Sequence, residues 1–364
     1  NRVNLRAAGN TRIASNTGSI LVDGGGVNST AWISKLGIWA GGVICLAPQT
    51  TQYFAGGSAD VSSKSKLVLI NSGLSNSIVD VRVFSDSASF KKSYTVKKNK
   101  TQSISLITLA PGSKSVALMV TPKTGRVTSY LVDERSKGLQ TLGGDVVNSQ
   151  ASLNKSIYIP AIPHSSSVGK THILRVLNPN SINANISVEV ISKDGRYVPL
   201  GLDNRKISAD RAVDFSFDFD SKRTIFAIKI TSDQPIAAAV FSKVKTRGKS
   251  DFVWSTPVTP NITGTWAITG LDPKLVISGS EIHVSLTMIK SNGKKVSTKL
   301  SGSDIYTYQI PSGAIAIRLD AIAKGNAAAL IVNSQSGTGY LPLLNGSEKT
   351  RSTVPTANIG VLNP

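Results

Sequence analysis

Three histidines, His164, His172 and His283, are the residues of this chain best suited to general acid–base chemistry, because an imidazole titrates near neutral pH. His164 lies in a polar connector, and the other two fall in or beside predicted strands. His283 occupies a polar position in the alternation of its strand, so we expect it to face solvent. No two histidines have metal-ligand spacing, and the single cysteine, Cys45, has no second thiol with which to form a zinc site. The sequence therefore predicts no catalytic residue and no metal site.

Other segments that could bind a ligand have simpler structural interpretations. The acidic segment VDFSFDFD, residues 213–220, alternates phenylalanines with polar residues as a strand does, whereas a calcium loop needs a turn to gather its ligands. The glycines of DGGGVN, residues 23–28, are followed by neither a GK[ST] sequence nor a predicted helix, so they are not a phosphate loop. Cys45 has apolar neighbours and is expected to be a small buried hydrophobe. We expect no cofactor and no enzymatic activity.

Basic side chains are better candidates for a binding surface. They concentrate in the segments KKSYTVKKNK, KVKTRGK and NGKKVSTK. A surface of this kind could bind an anionic polymer or bilayer by non-specific electrostatics. Lysine on an edge strand also discourages pairing with another sheet, so protection against aggregation is an alternative interpretation. The candidate polyanion-binding residues are Lys91, Lys92, Lys97, Lys98, Lys100, Lys243, Lys245, Arg247, Lys249, Lys294, Lys295 and Lys299.

The whole chain carries a large positive charge. It has 41 Lys and Arg against 21 Asp and Glu, a formal net charge of +20 and a pI near 10. Such a chain is attracted to polyanions, and the candidate partners are an anionic cell-wall polymer, an anionic membrane surface or other envelope proteins. Sequence-specific nucleic-acid binding is not expected, because no known motif is present and few aromatic residues lie among the basic ones. Solubility alone is an alternative explanation of the charge, and the oligomeric state is left open.

One sequence pattern recurs along the chain. LVLINSGLSNSIVDVRVFS, residues 67–85, resembles LRVLNPNSINANISVEVIS, residues 174–192, and a shift of 107 positions aligns the two without a gap. ISVEVISKDG, residues 186–195, in turn resembles VSLTMIKSNG, residues 284–293. Self-similarity of this kind indicates a repeat architecture. We infer three copies of one unit.

The pattern within each copy predicts strands. Apolar and polar residues alternate with a period of two, and turn signals such as Asp194-Gly195 and Asn292-Gly293 separate the alternating runs. Sustained helical periodicity is absent. We therefore predict an all-β protein of about three tandem immunoglobulin-like β-sandwich repeats, with about seven short strands each, preceded by an irregular N-terminal β segment.

Polar, proline-bearing connectors set the predicted domain boundaries. PAIPHSSSVGK separates the first and second copies, and TPVTPNITG leads toward the third. These linkers are short, so we expect a semi-rigid tandem array. The predicted domains are an N-terminal β segment that packs on the first repeat, residues 1–62, and three repeats, residues 63–168, 169–272 and 273–364.

Cysteine usage and apolar content indicate a location outside the cytoplasm. A single cysteine excludes an intramolecular disulfide framework, and extracellular proteins without disulfides are common among bacteria. No stretch of 18 or more apolar residues exists that could span a membrane. The chain begins with Asn1 and not with Met, which fits a chain whose leader or anchor has been removed. We expect an extracellular or cell-envelope protein.

The recurring opening L-x-x-x-N … V-x-V … G, the Ala/Val-rich paired strand and the segments GGDVVNS and KSDFVWS resemble a family of secreted or membrane-anchored actinobacterial proteins of unknown function. The resemblance covers roughly residues 60–364 and rests on structural residues, so no functional residue is carried over. It implies a location outside the cytoplasmic membrane.

Three functions are weighed from these observations. The first is a non-enzymatic cell-envelope protein that acts as a spacer, a scaffold or an adhesive surface, since repeats provide reach and area without a catalytic centre. The second is an electrostatic binding module for anionic cell-wall polymers or anionic lipid. The third is a hydrolase on a β scaffold, which a deep pocket with converging polar groups of shifted pKa would favour. We expect the first.

Overall fold

The protein is built almost entirely from β-strands. Its described residues form 24 strands and no α-helix; the two helical segments among them are short 3-10 turns, Leu106–Thr108 and Ser166–Val168. The prediction of an all-β protein is confirmed. No helix in this part of the chain is long and apolar enough to cross a bilayer. The computed structural model describes residues 27–35, 38–246, 248–268 and 271–345.

The first described element is a two-stranded hairpin of β1 (Thr30–Lys35) and β2 (Trp39–Ile44). All six residues of β2 are buried, which is unusual for a strand that pairs on one side only. Ile44 at its end belongs to the apolar core of the last sheet in the chain. The hairpin is therefore buried deep in the molecule, where it packs against residues that come much later in the chain.

Residues 52–147 form two four-stranded sheets that enclose one core. The strands are β3 (Gln52–Phe54), β4 (Lys66–Asn71), β5 (Ser77–Phe84), β6 (Ser89–Val96), β7 (Lys100–Ser105), β8 (Ala117–Pro122), β9 (Thr128–Lys137) and β10 (Gln140–Val147). One sheet has the order β3-β8-β5-β6 and the other the order β10-β9-β4-β7. Val79, Val81 and Val83 of β5 are fully buried against Leu67 and Leu69 of β4, so the alternation in the sequence does mark the inward face.

Residues 154–255 form a second pair of layers around one long strand. The strands are β11 (Asn154–Pro163), β12 (Thr171–Asn178), β13 (Ala184–Ser192), β14 (Gly195–Tyr197), β15 (Arg205–Ile207), β16 (Arg211–Asp218), β17 (Ile225–Thr246) and β18 (Lys249–Ser255). The first half of β17 pairs with β11 and β13, and its second half pairs with β12 and β18. The strand thus passes from one layer to the other, and Phe226 and Val240 from its two halves lie in the same core.

Residues 264–342 form the last sheet, which also folds over on itself. Its strands are β19 (Gly264–Ala267), β20 (Lys274–Lys290), β21 (Lys295–Gln309), β22 (Ala314–Ile322), β23 (Ala327–Asn333) and β24 (Thr338–Pro342). β23 pairs with the first half of β20 and β22 with the second half. Leu275 and Leu286 from the two halves share one core with Trp266 and Ile317, because the bend in β20 brings the two halves face to face.

Buried apolar contacts join these three groups of sheets to one another. Phe241 and Trp254 belong to the core of residues 52–147 although they come from β17 and β18. On the opposite side, Val253 packs with Ile331 and Tyr340 of the last sheet. The groups are therefore connected through shared cores as well as through their short chain connectors.

Four edge strands meet at the centre of the molecule. β2, β10, β18 and β24 each lie at the edge of a different sheet, and they adjoin in a closed cycle: β2 contacts β10 and β24, and β18 contacts the same two strands. We call these four strands the strand ring. An edge strand presents unpaired backbone groups, and here the four edges cover one another.

Glycines allow the close approach of the ring strands. A Cβ atom on Gly41 would lie 2.6 Å from Oδ1 of Asp145, and one on Gly144 would lie 2.6 Å from the Trp39 ring. Real Cβ atoms do not come this close to other heavy atoms. The paired glycines of these segments are thus explained by packing between strands and not by turns.

Candidate functional site

The first basic segment lies on exposed sheet edges. Lys91 and Lys92 are on β6, the edge strand of its sheet. Lys91 forms an ion pair with Asp80 at 3.3 Å, and the Nζ of Lys92 lies 5.5 Å from the centre of the Tyr94 ring. The three remaining candidates of this segment lie at the β6–β7 turn, are exposed, and form no ion pair with a described residue; they are Lys97, Lys98 and Lys100.

The other two basic segments lie on different sheets. Lys243, Lys245 and Lys249 are exposed at the end of the β17–β18 hairpin, whereas Arg247 lies outside the described residues. The third group lies at the β20–β21 turn and on β21, and its side chains are exposed; they are Lys294, Lys295 and Lys299. The sequence predicted exposed lysines, and the structure places them on three separate surfaces and not in one patch.

Two buried carboxylates link β10 to β18 reciprocally. Asp145 of β10 accepts a hydrogen bond from the backbone N–H of Trp254 at 2.7 Å, and Asp251 of β18 accepts one from the backbone N–H of Gly144 at 3.1 Å. Each carboxylate also accepts a bond from the backbone N–H that follows it in its own strand. These bonds provide acceptors for backbone N–H groups of the two adjoining edge strands.

Burial raises the pKa of both carboxyl groups. The pKa of Asp251 is raised to about 7, although the backbone N–H groups around it offset part of the burial. The pKa of Asp145 is raised well above its usual range by burial and by the proximity of Asp251 and Asp133. Oδ2 of Asp251 lies beside the Gly337–Thr338 backbone and makes no hydrogen bond of good geometry among the described residues. Burial therefore favours the protonated form of both groups more than it is favoured in an ordinary aspartate.

Asp133, also buried, has the opposite environment. Burial alone would raise its pKa, but the guanidinium of Arg135 and hydrogen bonds from Ser65 and Trp254 hold the pKa below its usual value. Nη2 of Arg135 lies 2.9 Å from Oδ2 of Asp133, and Nε1 of Trp254 lies 2.9 Å from the same oxygen. Asp133 is thus an ionised, fully bonded group, and it fastens β9 to β18.

Arg175 of β12 is buried where the first two groups of sheets meet. Its guanidinium forms a bidentate pair with Asp214 at 2.7 and 2.8 Å. It also donates to the carbonyl oxygens of Gly57, Lys114 and Val116 in the first group of sheets. Only 2% of the side chain is exposed, so every donor is used inside the protein.

Sequence spacing did not indicate that two histidines would meet. Nδ1 of His164 lies 3.1 Å from Nε2 of His172, and Nδ1 of His172 lies 2.8 Å from Oγ of Ser242. Burial lowers the pKa of both imidazoles, and that of His172 falls to about 3, helped by the neighbouring His164. Phe217 and Phe226 pack against the ring of His172. This neutral, buried pair has no exposed face to offer a substrate. The expected exposure of His283 is confirmed.

The β13–β14 turn and the end of β16 enclose an open cleft of about 470 Å³, lined by Asp194, Tyr197 and Asp218 among others. Asp194 accepts hydrogen bonds from Ser221 and Arg223, each at 2.8 Å. Asp218 accepts one from Thr171 at 2.7 Å. The carboxylates of the cleft are thus engaged with protein partners.

The remaining sequence predictions concern single residues. Cys45 is half-buried, and burial raises the pKa of its thiol, which disfavours the reactive thiolate. The segment of residues 213–220 is a strand up to Asp218, as predicted. No cluster of three or more His, Cys, Asp or Glu side chains suited to a metal occurs within the described ranges.

The chain is similar to a known protein family. No curated protein and no solved structure matches the chain. Residues 37–302 match the model of a family described as a family of unknown function, DUF5719. This match includes the ring strands β2, β10 and β18, the reciprocal Asp145–Asp251 links and Arg175. Because it spans more than half of the chain, the protein belongs to the DUF5719 family.

Proposed function

We propose that the protein is a non-enzymatic protein of the bacterial cell envelope that serves as a structural scaffold or adhesive surface. The observation that carries this proposal is the strand ring, in which the edges of four sheets close on one another. The polar groups at the centre, Asp133, Asp145, Asp251 and Arg175, all bind the protein's own backbone and side chains. A body held in this way offers a large surface of fixed shape.

We further infer that the described body consists of tandem immunoglobulin-like repeats. Support comes from the recurring sequence pattern and from the three hairpins β9–β10, β17–β18 and β23–β24, each of which sends its second strand into the ring. The repeats would be residues 63–168, 169–272 and 273–364, with residues 1–62 as the preceding segment. Because the groups pack side by side, this arrangement favours a platform over an extended spacer.

The location outside the cytoplasm belongs to the same proposal. The chain has a single cysteine and a charge of +20, which suit an extracellular bacterial protein that works next to acidic polymers.

Co-sedimentation of the purified chain with isolated cell envelopes tests the scaffold proposal. We expect a fraction that pellets with the envelopes at physiological ionic strength, because an adhesive surface of fixed shape does not depend on charge alone. Retention of the whole sample in the supernatant at every ionic strength would contradict the proposal.

A second candidate function, the electrostatic binding of anionic cell-wall polymer or anionic lipid, is favoured by the exposed lysines. Lys97, Lys98, Lys245 and Lys294 form no ion pair within the described ranges, so their charge is available to a partner. The same sedimentation measures this function: charge-dependent binding weakens strongly between low and physiological salt. If salt does not reduce the bound fraction, the electrostatic function is rejected and only the scaffold function remains.

A further inference from the structure

The turns of four hairpins lie at one end of the strand ring. Ala40 lies opposite Gly337 and Gly42 opposite Gly339, so β2 and β24 run side by side in parallel. In the contacts between β2 and β10 and between β10 and β18, the residue numbers increase together on both strands, so these pairs are parallel as well. Each ring strand starts at the turn of its hairpin. Parallel strands place their starting points together, so the four turns share one end of the molecule.

Side-chain contacts between neighbouring hairpins agree with this placement. Nζ of Lys35 lies 2.7 Å from Oε1 of Glu134, which joins the β1–β2 and β9–β10 hairpins. Oγ1 of Thr246 lies 2.7 Å from Oγ1 of Thr338, which joins the β17–β18 and β23–β24 hairpins. We call this end the turn face; it is formed by Lys35, Lys137, Leu139, Lys245, Lys249 and the adjoining loop of residues 59–64.

The turn face is positively charged. Lys35, Lys137, Lys245 and Lys249 are exposed there. Among its described residues the acidic side chains are Glu134, which is bonded to Lys35, and Asp60, which accepts hydrogen bonds from Ser62. Lys137 and Lys245 have no ion-pair partner among the residues that the structure describes. The face therefore attracts anions.

Two large apolar side chains project from the same face. Leu139, at the tip of the β9–β10 turn, is fully exposed at 106%, and Val61 is exposed at 97%. The loop that carries Val61 is tied to β9, because Ser136 N–H donates to the Ser62 carbonyl and Lys64 N–H donates to the Glu134 carbonyl. The apolar side chains and the lysines are thus held next to each other by backbone hydrogen bonds.

A bilayer with anionic lipids uses both kinds of side chain. Lysines near such a surface interact with its headgroups, and adjacent apolar side chains enter the boundary between headgroups and acyl chains. A soluble polyanion would use the lysines and leave Leu139 and Val61 in water. We propose that the turn face docks on an anionic lipid surface; this inference rests on the second candidate function and names its partner and its site.

Vesicle co-sedimentation of the whole chain tests the inference, with vesicles of phosphatidylcholine alone or mixed with phosphatidylglycerol. The test variants are Lys137→Gln/Lys245→Gln and Leu139→Ser. The matched controls are Lys155→Gln/Lys206→Gln and Leu74→Ser, which make the same changes at exposed residues. The register of Asn154 with Ile236 and the hydrogen bond from Asn178 to the Ile207 carbonyl put the two control lysines at the start of the second half of β17, away from its turn-face end. The register of Ile70 with Thr128 puts Leu74 at the end of β4 and β9 opposite to the turn face.

We expect binding to the mixed vesicles only. The double substitution Lys137→Gln/Lys245→Gln should weaken vesicle binding about tenfold or more, since one basic residue near an anionic surface strengthens binding about fivefold. The control pair of lysine substitutions should change vesicle binding less than about twofold. Leu139→Ser should weaken vesicle binding severalfold without affecting the binding of soluble polyphosphate, and Leu74→Ser should affect neither. Thermal unfolding of each variant verifies that its fold is intact.

Other outcomes overturn the inference in distinguishable ways. Equal losses in the test and control pairs would exclude the turn face as the docking site, while the electrostatic function would stand. If Leu139→Ser does not change vesicle binding and polyphosphate displaces all bound vesicles, the partner of the lysines is a soluble polymer and not a bilayer. Absence of binding to envelopes, vesicles and polyphosphate alike would reject the second candidate function itself.

Discussion

Arg175→Met should lower the free energy of unfolding by about 3–5 kcal/mol, the usual cost of removing one partner of a buried ion pair. The substitution keeps the side-chain bulk but leaves the largely buried Asp214 carboxylate without its counter-charge. Burial would raise the pKa of Asp214, and it is Arg175 that holds this pKa below its ordinary value. Three carbonyl groups of the first group of sheets also lose their donor. Urea denaturation measures the effect.

Arg82→Met is the matched control for this prediction. Arg82 pairs with Asp210 at 2.7 Å, but its side chain is 39% exposed, and exposed ion pairs contribute at most about 1 kcal/mol. The double variant Arg175→Met/Asp214→Asn should recover part of the loss, because the uncompensated charge is then gone. Equal, small effects of Arg82→Met and Arg175→Met would show that the guanidinium of Arg175 does not join the two groups of sheets.

Asp251→Asn should change how stability depends on pH. The pKa of Asp251 is raised from 3.8 to about 7 in the folded protein, so the unfolded chain releases this proton first as the pH rises. The stability that the protonated form of Asp251 contributes is fully present below about pH 4. This contribution is lost as the pH rises toward 7. The asparagine variant has no such loss, so its stability relative to the natural protein should increase by up to about 4 kcal/mol between pH 4 and pH 8.

The difference between variant and natural protein must be measured, since other groups titrate in the same range. The lowered pKa of His172, about 3, makes the folded protein lose stability as the pH falls below about 6.5, the opposite slope. Asp133→Asn is the control whose effect on stability should have the opposite sign. Because the pKa of Asp133 is lowered in the folded protein, its carboxylate stabilises the fold above about pH 4. A difference for Asp251→Asn that is constant from pH 4 to pH 8 would refute the assignment of a raised pKa.

Much of the fold follows from local sequence patterns. The alternation at Val79, Val81 and Val83 predicted an inward face, and these three side chains are buried in the first core. The apolar runs IFAIKI, residues 225–230, and PIAAAVF, residues 235–241, look in the sequence like two strands with a short turn between them, whereas they form the single bent strand β17. Local alternation does not reveal that a strand continues when its partners change from one layer to the other.

The centre of the molecule was harder to foresee, because its contacts join residues about a hundred positions apart. The glycines at 41, 143 and 144 look like turn residues in the sequence. Glycine is needed at these positions because the edge strands approach so closely that a Cβ atom would clash. A signal for the Asp145–Asp251 link did exist: both residues follow two small or polar residues in the similar segments GGDVVNS and KSDFVWS. The contact of His164 with His172 had no such signal, since it depends on how the connector folds back.

Differential scanning calorimetry of the whole chain tests most directly whether the strand ring joins all the sheets into one body. The ring and the shared cores predict a single unfolding transition whose calorimetric and van't Hoff enthalpies agree, as for a two-state protein. Two or more resolved transitions, with a calorimetric enthalpy well above the van't Hoff value, would mean that the groups of sheets unfold independently. The protein would then be an array of separate units, and the proposed platform would be wrong.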